Sequence, residues 1–262
     1  MKKTMIAGAA AIALAAPAYA ELEGDLSLTY NSQYNFRGVN GILSDAAGLF
    51  GADTDNVYDA ELNLAYGLND NWSLVAGVNI NTLSDTSVDH NRYRAGVRYA
   101  NDCYSVELGY QYHNLANVLS SVSGFDLDTS EIYLNVGTKC PLTGGDVNLF
   151  VAHDVDQLDG TYVELSLKKG FELSEKVGLD VTVGVAYSFD YWDNIGGTGA
   201  LNTGSDWNHA YLTLGLPVSA TDNLTLTPFV TYSQGFGALD PAGTTLEEDD
   251  EFVFGLEASV KF

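Results

Sequence analysis

The chain has 262 residues, 46% of them hydrophobic and 18% charged, and its 11 Lys+Arg against 35 Asp+Glu give a formal net charge of −24. So acidic a protein repels phosphate backbones and anionic headgroups, because affinity for either rests on Lys and Arg displacing counterions, and a nucleic-acid partner is excluded. The low charge content and the 16 Tyr and 11 Phe equally exclude a disordered chain.

The first element is an address. Lys2 and Lys3 precede an apolar run over residues 5–16, then Pro17 and the small-x-small site Ala18-Tyr19-Ala20, the order of a secretory signal peptide over residues 1–20. The run is too short to span roughly 30 Å of hydrocarbon, which takes about 20 helical residues. Cleavage after Ala20 leaves one domain, 21–262, which has lost Lys2 and Lys3 and carries −26. Export into an oxidising compartment makes Cys103 and Cys140 disulfide candidates.

From there the sequence alternates with period 2, the mark of strands with one apolar face. The series run through 26–36, 58–66, 72–80, 93–99, 104–112, 132–136, 147–151, 163–167, 177–189, 210–216, 224–232 and 252–262, twelve in all. Connections near 67–71, 101–102, 139–145, 170–176 and 217–223 are short. Those near 37–54, 82–89, 114–127, 190–206 and 234–250 are mostly longer and rich in Gly, Asp, Asn and Ser, and 156–160 alone breaks the rule. Aromatics close many series, as at Tyr30, Tyr66, Trp72, Tyr99, Tyr104, Tyr112, Tyr187 and Tyr232, while the opposite faces carry Gly, Asn, Ser, Thr and scattered charge. This pattern predicts an all-β, transmembrane, antiparallel up-and-down barrel of twelve strands with its apolar face in lipid.

Two ends of the chain carry resemblances. Phe252-x-Phe254-x-Leu256-x-Ala258-x-Val260-x-Phe262 resembles the terminal signal by which the outer-membrane insertion machinery recognises barrels, with Phe254, Leu256, Val260 and Phe262 as the assembly residues. Tyr34-Asn-Phe36-Arg37-Gly38, at the end of the first strand, resembles the first-strand element of the TorF-like porin family. Those resemblances imply an outer-membrane location, lipid and lipopolysaccharide as surroundings, and a diffusion pore.

If the apolar series face lipid, their alternates face the lumen. The fourth strand then points Arg92, Arg94 and Arg98 inward. A two-residue hairpin at Asn101-Asp102 would pair residues summing to 203, setting Tyr99 against Tyr104, Glu107 against Gly96 and His90 against His113. The arginines either face an acidic wall of Glu164, Asp180, Glu251 and Glu257, making a transverse field at a constriction, or are neutralised by Glu107 and Glu131, which brace the wall. His90 and His113 beside Asp89 are metal ligands in kind but too few for a preorganised site. The run Glu247 to Glu251 could gather calcium or magnesium, yet lacks the spacing of a dedicated loop, and a solvated acidic loop is the default. Cys103 and Cys140 fall at one rim, though in series of opposite parity. The expected function is passive diffusion of small ions and polar solutes through a narrow, mostly acidic lumen, without catalysis. The alternatives are a non-conducting barrel displaying acidic loops and an outer-membrane hydrolase, for which no serine lies beside a histidine in sequence.

Overall fold

In a computed structural model, which describes residues 22–39, 55–83, 89–116, 128–194, 203–239 and 250–262, the apolar series become twelve long strands. The leader at 1–20 and residues 247–249 of the acidic run lie outside the described residues. The strands are β1 (Leu22–Gln33), β2 (Asp55–Gly67), β3 (Trp72–Leu83), β4 (Asp89–Ala100), β5 (Tyr104–Ala116), β6 (Thr129–Lys139), β7 (Asp146–Asp154), β8 (Thr161–Glu172), β9 (Gly178–Phe189), β10 (Asp206–Gly215), β12 (Leu224–Gly235) and β13 (Asp250–Lys261). A two-residue strand β11 (Val218–Ser219), not anticipated from the sequence, lies within one short turn and pairs with β12.

Consecutive strands pair antiparallel, and the contacts of β1 with β13 and of β10 with β12 close the sheet into a barrel. Closure matters in lipid, where an open edge would leave backbone N–H and C=O groups without partners. A twelve-residue strand such as β1 is about 40 Å long, and a tilt of about 40° fits it to roughly 30 Å of hydrocarbon. No described helix is long and apolar enough to cross a membrane; the strands cross.

Burial assigns the faces. Leu28, Leu108 and Phe254 are 57–58% exposed, whereas Glu107 and Glu131 are 3% and 0% exposed, so the apolar face is outside and the polar face inside. Exposed Tyr30, Tyr58, Tyr93, Phe189, Trp207 and Phe252 lie toward the long-loop ends of their strands, and Trp72, Tyr104, Phe171 and Phe262 toward the short-turn ends. These form the two girdles of a membrane barrel. The C-terminal strand is a seam: β13 lies between β1 and β12, and Phe262 exchanges backbone hydrogen bonds with Gly24. The Phe262 ring covers Gly24 so closely that a Cβ there would stand 2.6 Å from it.

Three expectations are corrected. The first apolar series is cut short: β1 ends at Gln33, and Tyr34 and Phe36 leave the wall. The β4–β5 hairpin pairs residues summing to 205, with Arg98 opposite Glu107 and Arg92 opposite His113. The cause is Asn101, whose side chain accepts the backbone N–H groups of Cys103 and Tyr104 and moves the turn one residue along. A shift of two in the sum preserves the faces, so the inward series remains inward. Finally, Cys103 and Cys140 are unbonded. Tyr104 pairs with Thr138, so Cys103 continues that register against Lys139, and Cys140 falls one step beyond with opposite parity.

Candidate functional site

The long-loop end of the lumen is filled by the segment that leaves the wall after β1. Phe36 and Val39 exchange backbone hydrogen bonds of 2.9 and 3.1 Å around Arg37-Gly38, whose φ angles of 56° and 83° make a type I′ turn. Gly38 is required twice over, because its φ is left-handed and a Cβ would stand 2.7 Å from the His209 ring. Asn35 holds the turn by accepting the Gly38 N–H and donating to Glu251 at 3.0 Å. The other support is a bulge in β10, where Asn208 and His209 together stand against the single Ala186 of β9 and both are buried. Asn208 donates to the Arg37 carbonyl at 2.7 Å and accepts from the Trp192 indole at 2.8 Å.

Arg37 thereby reaches Glu131 on β6 in a bidentate pair of 2.5 and 2.9 Å, with both side chains buried. Its guanidinium lies over Tyr162 (4.5 Å), Tyr191 (4.6 Å), Phe36 (5.0 Å) and Phe150 (5.9 Å). The Glu131 carboxylate also accepts from Tyr191 Oη at 2.5 Å, from His113 Nε2 at 3.1 Å and from Gln111 Nε2, five donors in all for about four lone-pair sites. Burial is the largest influence on Arg37 and opposes its charge, but Glu131 together with Tyr191 and Tyr162 outweighs it and keeps the guanidinium pKa above its ordinary value. Burial pushes the Tyr191 hydroxyl well above the usual phenol range, so it remains a donor. Around this centre Tyr34, Val39, Val57, Leu83, Leu158, Trp192, Ala238 and Leu239 form an apolar core inside the barrel.

The anticipated lumen residues divide. Arg94 and Arg98 are neutralised on their own wall by Glu107, at 3.5 and 2.6 Å, and Tyr133 donates to the same carboxylate at 2.7 Å. Glu131 belongs to Arg37 instead of to that strip. Asp180 takes Lys168 at 2.8 Å, and Glu164 accepts from Tyr162 and Tyr211. Arg92 alone of its strip lines a central cavity of about 600 Å³, standing 3.8 Å from Glu61. Asp59, Glu61, Glu164 and Glu257 line the same cavity, with the Arg37 turn also on its wall. The transverse field is therefore narrower than the sequence implies, with Arg92 against carboxylates and Arg94 and Arg98 acting as braces. His90 and His113 hydrogen-bond each other at 3.0 Å, and their outer nitrogens meet Tyr34 and Glu131, which commits all four to hydrogen bonds. Among the described residues, no group of three or more His, Cys, Asp or Glu is placed to hold a metal ion.

Arg37, Tyr191 and Trp192 were not singled out as lumen residues by the sequence. The available signal was Arg37-Gly38 directly after a strand, a glycine placed to allow a left-handed turn.

Fold and site together define a transmembrane β-barrel of outer-membrane type whose lumen carries an internal plug. No family model matches the chain, and no curated protein matches it in sequence. Among solved structures it is similar to the KdgM porin, at 10% identity over 91% of this chain and 99% of that one, with a TM-score of 0.50. It is also similar to an outer membrane channel from Pseudomonas putida F1, at 9% identity over 95% and 97% of the two chains, with a TM-score of 0.50. At such identities the likeness is one of fold.

Proposed function

We propose that the protein is a narrow passive channel of the outer membrane for small ions and polar solutes, restricted at its long-loop end by the Arg37 turn. The observation that carries this reading is the polar cavity of about 600 Å³ inside a barrel whose outer face is apolar. Barrels of this fold described as a porin and a channel support it. On this reading the element resembling TorF-like porins is the plug itself, the role is non-enzymatic, and the C-terminal strand engages the insertion machinery. Four carboxylates against Arg92 and the already paired Arg37 make the wall cation-attracting. Purified protein in planar bilayers gives small discrete conductance steps, and a salt gradient gives a reversal potential of cationic sign; a silent bilayer overturns the channel, and an anionic sign overturns the selectivity. A second reading rests on the depth of the plug, in which Val39, Tyr191 and Leu239 are wholly buried: a non-conducting structural barrel. Silence that persists after Arg37→Ala opens the centre would favour it.

A further inference from the structure

Four side chains from three strands and the plug form one unbroken hydrogen-bonded row. Tyr34 Oη is 2.6 Å from His90 Nδ1, His90 Nε2 is 3.0 Å from His113 Nδ1, and His113 Nε2 is 3.1 Å from Glu131 Oε2. All four are buried, and Phe36 packs edge-on against both imidazoles at 4.9 and 5.4 Å.

The proton positions follow from the acidic end. Glu131, paired with Arg37, is an acceptor, so His113 Nε2 carries a proton and its Nδ1 accepts from His90 Nε2–H; His90 Nδ1 then accepts from the Tyr34 hydroxyl. Three hydrogen bonds hold three protons, and both imidazoles are neutral. A fourth proton, on His90 Nδ1, turns the Tyr34 hydroxyl from donor to acceptor and places a cation beside the plug. A fifth sets N–H against N–H between the histidines. The charges that such a cation meets are unfavourable: Arg37 from the plug and Arg92 from β4. The anion facing the row, Glu131 of β6, is already engaged by Arg37, Gln111 of β5 and Tyr191. Beyond it, Glu61 of β2 is engaged with Arg92, and Asp59 with Asn79 of β3.

We propose that this row is a proton-operated latch: with both imidazoles neutral it holds the 34–39 turn in the lumen, and proton uptake breaks the row and releases the turn. The gating consequence rests on the channel reading, whereas release of the turn does not. Trp192, buried against Phe36 and Tyr191, reports the plug once lipid-exposed Trp72 and Trp207 are replaced by Phe. In vesicles of neutral lipid, acrylamide quenching of Trp192 rises roughly threefold between about pH 7.5 and about pH 4.5, with conductance rising in parallel. The double variant His90→Asn/His113→Asn loses this transition. Tyr34→Phe, which removes only the terminal hydroxyl and leaves His90 Nδ1 open to a proton, moves it to higher pH and keeps the test decisive if the double variant does not fold. Quenching that is flat across this range, or a double variant keeping the wild-type transition, overturns the latch whatever the conductance. An acid-dependent quenching without conductance leaves the latch standing and counts against the channel.

Discussion

Removing the Arg37 side chain leaves Glu131 ionised and buried with its bidentate partner gone, and removing the Glu131 charge leaves a guanidinium buried among aromatic rings. Breaking one side of such a pair costs about 3–5 kcal/mol, much of it the desolvation of the partner left behind. Arg37→Met and Glu131→Gln should each lower the stability of the folded barrel by that order, and the double variant by clearly less than the two together. Urea titration in detergent, following heat-modifiable migration, measures all three, and additive losses would refute the coupling. Glu131 lies 94 residues from Arg37 along the chain, and only the left-handed turn at Arg37-Gly38 brings the guanidinium to it. No period-2 pattern encodes that meeting, which is why the centre of the site was not legible although each of its residues was in view.

At the scale of elements the walls were legible and the turns less so. Alternation is local, so the lipid face of β5 follows from Tyr104, Val106, Leu108 and Tyr110 alone. Register instead depends on which residue closes the hairpin, and there Asn101 outcompetes the shorter turn by capping two N–H groups. The β10 bulge is likewise invisible to a strict alternation, yet it turns Asn208 and His209 inward together and so supports the plug. The same turn geometry governs the cysteines. Cys103 sits in the β4–β5 turn and Cys140 in the turn after β6, in opposite parity, so denatured protein prepared without reductant should titrate two thiols per chain. Cys140 accepts hydrogen bonds around Thr143, which lowers its thiol pKa below the ordinary value. Its alkylation by iodoacetamide should therefore reach half-maximal rate at a lower pH than free cysteine, whose pKa is about 8.5. No titratable thiol before reduction and two after it would restore the disulfide.

For the whole molecule, the net charge of −24 matters through where it is placed. The lipid-facing series are nearly free of charge, Glu107 and Glu131 are consumed by arginines, and the carboxylates left to act on a passing ion are those around the cavity. Selectivity should therefore follow Asp59, Glu61, Glu164 and Glu257 and be insensitive to the far larger acidic surplus outside the lumen. Of these, Glu164 already accepts two tyrosine hydroxyls and Glu61 stands 3.8 Å from Arg92, so Glu257 should contribute most, followed by Asp59, which accepts one amide N–H from Asn79. Screening gives the cavity its priority over the outer surplus, since charges farther from the path than about 10 Å are largely masked at 0.1 M salt. Asp59→Asn/Glu257→Gln should move the reversal potential in a salt gradient toward zero, because the carboxylates that remain, Glu61 and Glu164, are already engaged by Arg92 and by two tyrosines. Neutralising Glu172 and Glu175, near the short turn after β8 and outside the cavity, should leave it nearly unchanged. If the second pair shifted selectivity as much as the first, the permeation path would not run through this cavity.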